Sequence, residues 1–179
     1  IAAFSQGLVV DRDDADAQAM LELRASIYER QRRYDLALAD YDRLFEINGD
    51  QLIQLRRMQV ALADGDYEQV LADGDVLGSR EDMDQALISL LRGKALVEQA
   101  QNSDQAPPQQ AVTLLSNTIA AATSAEQRAD AYEFLARAQL ALGSEDAAED
   151  AINAALATGE TGSRHYWRGR IHEAQNDVR

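Results

Sequence analysis

The feature that most constrains this chain is a recurrence. A contact residue, small in four of five cases, falls at Ala25, Met58, Gly93, Ala136 and Gly169, in steps of 33, 35, 43 and 33 residues. A second position follows at a fixed offset within three of these units, pairing Ala25 with Ala37, Met58 with Val70 and Ala136 with Ala148. A period of this length marks a repeat array. One such unit cannot bury its apolar stripe alone. Stacked units bury a continuous core, and small residues at the contacts let helix axes approach.

The clearest unit begins at Ala129. Tyr132, Leu135, Ala136 and Leu140 recur at helical spacing before Gly143 breaks the run. Ser144 then offers an N-cap oxygen, and Glu145 and Asp146 follow where a helix dipole favours acids. A second amphipathic helix runs through Ala148, Ile152 and Ala155. The same grammar recurs upstream. Leu21, Ala25 and Tyr28 form one first helix, and Tyr34, Ala37, Tyr41 and Leu44 form its mate, which stops at Asn48-Gly49. Met58 and Ala61 precede Gly65-Asp66-Tyr67, then Val70, Gly74 and Leu77 lead to Gly78-Ser79. Gly93 and Leu96 are followed by an interruption and then by Ala111, Leu115 and Thr118. Trp167, Gly169 and His172 lie on a last first helix, with His172 expected to pack.

These units resemble the tetratricopeptide repeat, whose period is 34 residues. The family's Leu-Gly-like pair appears as Arg24-Ala25, Arg57-Met58, Arg92-Gly93, Leu135-Ala136 and Arg168-Gly169. Its second-helix Ala–aromatic pair is intact as Ala37 and Tyr41, and has an aliphatic partner as Ala148 and Ile152. The closing Pro is missing from every unit, and Met58 and Gly74 make the second unit degenerate. The resemblance implies an all-α array of helix–turn–helix units stacked into a right-handed superhelix. It also implies that the arginines before the contact residue are structural, laying their stems across the repeat.

The expected organisation is a single array over 1–179. Residues 1–14 end a preceding repeat, repeats follow at 18–50, 51–84, 86–124 and 129–160, and 163–179 is a first helix without its mate. The third repeat carries an enlarged loop at 99–108, with Pro107 or Pro108 able to open the next helix. Both ends fall inside repeats, so the expectation is a longer repeat protein. The run Asp11–Asp14 reads as a solvated exit turn.

Charge narrows the partners. The chain carries 17 basic and 31 acidic side chains, a net charge of −14, and every basic residue except Lys94 is Arg. Such a chain repels phosphate backbones and anionic membrane surfaces. The acidity either steers a basic partner or maintains solubility. There are no cysteines, which excludes disulfides, thiolate nucleophiles and Cys-based metal sites. No apolar run is long enough to span a membrane. Ile1–Val10 lacks the basic start of a signal peptide, although the chain does not begin with Met, so a leader or anchor could have been removed. The Arg-, Ala- and Asp-rich composition suggests a bacterial protein, in cytoplasm or periplasm.

No phosphate loop, HExxH or Gly-x-Ser-x-Gly motif is present. His165 and His172 share no metal-ligand spacing with further ligands. Asp73, Asp75, Gly78 and Asp84 echo a calcium loop, but Leu77 stands where an acid is needed. The expectation is therefore no enzyme, cofactor or metal.

The resemblance implies that first helices line a concave face that receives peptides. The residue after each contact position points there: Ser26, Gln59, Lys94, Arg137 and Arg170. The last three are cations in an acidic chain, and adjacent units set them roughly 10 Å apart. They would form a stripe of about 20 Å, enough for roughly six extended residues, where a carboxylate could dock. Leu55, Leu62, Leu90, Val97, Leu140 and Tyr166 are the neighbouring groove candidates. The competing reading is intrahelical salt bridging, because Glu98, Glu133 and Glu173 lie three or four residues from those cations. Trp167 and Tyr166 are either interface anchors or packing residues. The function expected is a non-catalytic scaffold holding a peptide or protein segment. The alternatives are a self-assembling array that oligomerises through open repeat edges, or the non-catalytic arm of a larger enzyme or membrane-anchored protein.

Overall fold

The computed structural model describes residues 15–177, and among them every regular element is a helix. These are α1 (Ala15–Arg30), α2 (Tyr34–Asn48), α3 (Gln51–Asp64), α4 (Tyr67–Leu77), α5 (Gln85–Asn102), α6 (Gln109–Ala121), α7 (Ala125–Ala141), α8 (Glu145–Thr158) and α9 (Gly162–Asp177). The expected end of a preceding repeat at 1–14, with the run Asp11–Asp14, lies outside the described residues. Two compact units divide between Asp73 and Gly74, within α4.

In the first unit α1 packs on α2 and α2 on α3. Ala25 and Ala37 are fully buried, as are Met58 and Val70. In the second unit α5 packs on α6, α6 on α7, α7 on α8 and α8 on α9. Here the first helices also touch one another, α5 against α7 and α7 against α9. Ala136 and Ala148 are fully buried at the α7–α8 contact. At Gly93 the approach of α6 is so close that a Cβ would stand 2.8 Å from two side-chain carbons of Leu115. Gly169 differs from the other contact residues, because it is exposed and a Cβ there would meet nothing within 4 Å. His172 likewise is exposed instead of packed, with its ring 3.4 Å from the amide of Gln175. No described helix covers that face of α9.

Each turn inside a helical hairpin uses one left-handed residue. Arg32 (φ 57°), Gly65 (φ 85°), Asp104 (φ 53°) and Gly143 (φ 71°) occupy it. The next N–H then bonds back to a carbonyl five residues earlier: Arg33 to Tyr28, Asp66 to Ala61, Gln105 to Ala100 and Ser144 to Gln139. This is the helix-ending motif that reverses the chain and uses otherwise unpaired carbonyls.

Two local expectations are corrected. Gln99–Asn102 complete α5 instead of opening the loop, since Gln and Ala sustain a helix until Ser103 and Asp104 turn it. Pro108 then precedes α6 in extended backbone, and Pro107 is buried. Ser144 holds the N-cap position of α8, but its hydroxyl makes no capping bond.

Candidate functional site

The arginines that precede the contact residues tie helices together. The Arg24 guanidinium donates through Nε to Asp40 at 2.8 Å, joining α1 to α2. Arg57 does the same on α3, donating through Nε to Asp73 at 2.9 Å and through Nη1 to Asp42 at 2.9 Å, while its plane lies 4.7 Å over Phe45. Asp73 also accepts from Gln54 at 3.0 Å. In the second unit Arg92 reaches Asp75. The Asp40 hydrogen bond raises the Arg24 pKa against burial. At Arg57 burial is the largest single effect and opposes the charge, but the hydrogen bonds and charges of Asp73 and Asp42 together outweigh it and raise the pKa. Asp73 and Asp75 are therefore committed to arginines, and Asp84 accepts from the Leu87 N–H as the N-cap of α5. The calcium-like spacing has a structural occupation at each acid.

The first helices of the second unit are bridged by a charge network. Lys94 on α5 donates to Asp130 on α7 at 2.6 Å. Asp130 also accepts from Arg164 on α9 at 3.0 Å, and Arg164 reaches Glu133 at 3.2 Å. Arg164 Nη1 donates to the Gly159 carbonyl at 2.6 Å, and Ser163 donates to Glu133. Arg164 and Glu133 are buried, so their mutual pairing offsets the cost of removing charges from water. Arg137 donates to Gln101 on α5 at 2.6 Å, lies 3.7 Å from Glu98, and stacks over Phe134 at 4.1 Å and Trp167 at 4.9 Å.

The three expected stripe cations thus have different situations. Lys94 and Arg137 pair between helices, not with the intrahelical acids that sequence spacing offered. Arg170 is half exposed; its Nε sits 3.4 Å from Glu173, as that spacing suggested, and its Nη1 donates to the Tyr166 hydroxyl at 3.1 Å. Tyr166 is exposed and meets Trp167 edge-on at a centroid separation of 5.4 Å. Leu90 and Val97 are core residues, 3% and 0% exposed, so they offer no surface to a partner. These two groove candidates turn inward because α5 is packed by both α6 and α7. Leu55 and Leu62 are half-buried on α3, and Gln59 lies there 3.4 Å from Arg56.

Each unit has an opening. In the second, Arg137, Leu140, Ala141, Trp167 and Arg170 face Gln101, Asp104, Gln105 and Ala106 across a space of about 660 Å³. This brings together Arg137, Leu140 and Arg170 of the expected set and adds the inter-helix loop as a wall. In the first, residues of α1 and α3 enclose about 550 Å³ over Tyr41 of α2. Sequence reasoning missed Asp130 and Arg164, and it assigned Glu133 to Arg137, whereas Glu133 pairs with Arg164. It also missed the Arg–Asp clamps, although the offset from Arg24 to Asp40 recurs unchanged from Arg57 to Asp73.

No protein-family model matches the chain, and no curated protein does. Among solved structures, the crystal structure of a thermophilic TPR protein from Thermus thermophilus aligns with a TM-score of 0.62 and 16% identity, covering 88% of this chain and 82% of that one. The fold is the tetratricopeptide-type array of helical hairpins that the sequence resembles. None of the described helices is long and apolar enough to cross a membrane.

Proposed function

We propose that this chain is a non-catalytic scaffold that holds a peptide or protein segment on the surface made by its first helices. The opening in the second unit supports this most directly. It combines a stacked indole, two guanidinium groups and an aliphatic side chain from two successive first helices, with a polar loop at its edge. Aromatic residues and arginines dominate binding energy at protein interfaces. The volume is within the range of ligand-binding clefts. Arg137 is already oriented by Gln101 and by two rings, so little freedom is lost on binding. Arg170, half exposed, is the cation available to a carboxylate.

The test is capture of a partner by the full chain, identification by mass spectrometry, and affinity measurement for Arg170→Glu and Leu140→Ser. At least a tenfold loss with an unchanged melting temperature is expected. Unchanged affinity for both variants removes this surface from the proposal.

A second reading is self-assembly. The exposed Tyr166 and the open space at Gly169 on α9 favour it. Light scattering separates the two readings, because assembly requires a mass that grows with concentration.

A further inference from the structure

We infer that the first unit carries a separate docking groove for a segment that presents apolar side chains flanked by a cation. The inference rests on the scaffold reading but concerns different residues and a partner chemistry of opposite sign. Ala19, Glu22, Leu23 and Ser26 recur at spacings of three and four, so they form one stripe along α1. Leu52, Ile53 and Arg56 stand opposite on α3, and Tyr41 closes the floor. Leu23 is 59% exposed and Leu52 67% exposed. Single exposed leucines are ordinary on protein surfaces, but two that line one groove of about 550 Å³ form a concave apolar patch.

Charge selects the occupant. Arg56 is the cation of the groove lining and is engaged with Glu29 at 3.0 Å. Glu29 also accepts from the Tyr41 hydroxyl at 3.3 Å. Glu22 is exposed at the rim beside Leu23, and among the described residues it makes no ion pair. Residues 15–73 hold twelve carboxylates against seven arginines. The field at the groove therefore repels an acidic segment and draws in a basic one, whose cation would meet Glu22 while its apolar side chains settle against Leu23, Leu52 and Ile53. A second copy of this chain is disfavoured as occupant, since it carries a net charge of −14 and would repel the first.

The experiment uses the full chain and two labelled synthetic peptides of equal length. They have leucines at the same positions, and one carries lysines where the other carries glutamates. Fluorescence anisotropy gives both affinities. The lysine peptide is expected to bind at least tenfold more tightly. Leu23→Asn with Leu52→Asn should weaken it at least tenfold at an unchanged melting temperature. Glu22→Lys should remove the preference for lysine, whereas Glu126→Lys, the same charge change at an exposed site in the second unit, should leave most of it. The proposal is overturned by equal or better binding of the glutamate peptide, by no binding of either, or by equal effects of Glu22→Lys and Glu126→Lys. It is also overturned if the free chain self-associates and Leu52→Asn abolishes that association. Should the leucine variants unfold, the Glu22→Lys and Glu126→Lys comparison still decides. The captured-partner test with Arg170→Glu reports on the second unit alone, so either proposal can fail while the other stands.

Discussion

Gly93 and Gly169 occupy the same place in the repeat and face opposite environments. A methyl group at Gly93 would overlap Leu115, so Gly93→Ala is expected to destabilise the protein by about 1–3 kcal/mol as α5 and α6 are forced apart. A methyl at Gly169 meets open space within α9, and Gly169→Ala should stabilise by about 0.5–1 kcal/mol through helix propensity alone. Urea denaturation of the two variants gives the opposite signs directly. Arg32 invites a similar argument. It holds the left-handed turn position that Gly65 and Gly143 hold elsewhere, so Arg32→Gly should be neutral or stabilising, by up to about 1 kcal/mol. Tyr41 adds a pH signature. Burial, with the Glu29 charge beside it, pushes its phenol above the ordinary value, against the opposing Arg56 hydrogen bond. The folded state holds that proton more tightly than the unfolded chain does. The associated stabilisation is therefore complete below about pH 10 and is lost as pH rises through the folded value. Thermal melts at increasing alkaline pH should fall less steeply for Tyr41→Phe than for the parent.

At the scale of the helix, the contact residues and helix stops were legible because they are local. Ala25, Met58 and Ala136 are recognisable from spacing, and Asn48-Gly49 and Gly78-Ser79 from backbone chemistry. The turn at Arg32 was not legible, since Arg carries no propensity for left-handed backbone and only the hairpin packing holds it there. The end of α5 was misplaced for a related reason. Polar Gln99–Asn102 looks like loop, yet Gln and Ala are adequate helix formers when one face is covered. Interhelical pairing was the largest omission. Sequence spacing offers intrahelical acids to Lys94 and Arg137, whereas stacking brings Asp130 and Gln101 into reach instead. The Arg–Asp clamps carry the clearest energetic consequence. Asp73 is buried against Arg57 and Gln54, so Asp73→Ala leaves a guanidinium largely desolvated without that carboxylate, and a loss on the order of 3 kcal/mol is expected in chemical denaturation. Asp82→Ala, at an exposed pair with Arg80, should leave the denaturation midpoint unchanged, because solvent screens that pair.

For the whole molecule, the repeat period was enough to give the fold, because each unit repeats the same requirement to cover one apolar face with the next. The candidate surface was only partly legible. Arg137, Leu140 and Arg170 meet at one opening, but Leu90 and Val97 turn into the core. The second groove, at Leu23 and Leu52, went unnoticed because exposure depends on which neighbours stack. The scaffold proposal places partners on first-helix surfaces. Hydrogen exchange of the full chain, with and without its captured partner, tests that most directly. Protection should rise at 19–26 with 52–56, or at 101–106 with 137–141 and 167–170, while α2, α6 and α8 stay unchanged. Protection confined to α2, α6 and α8 would contradict it.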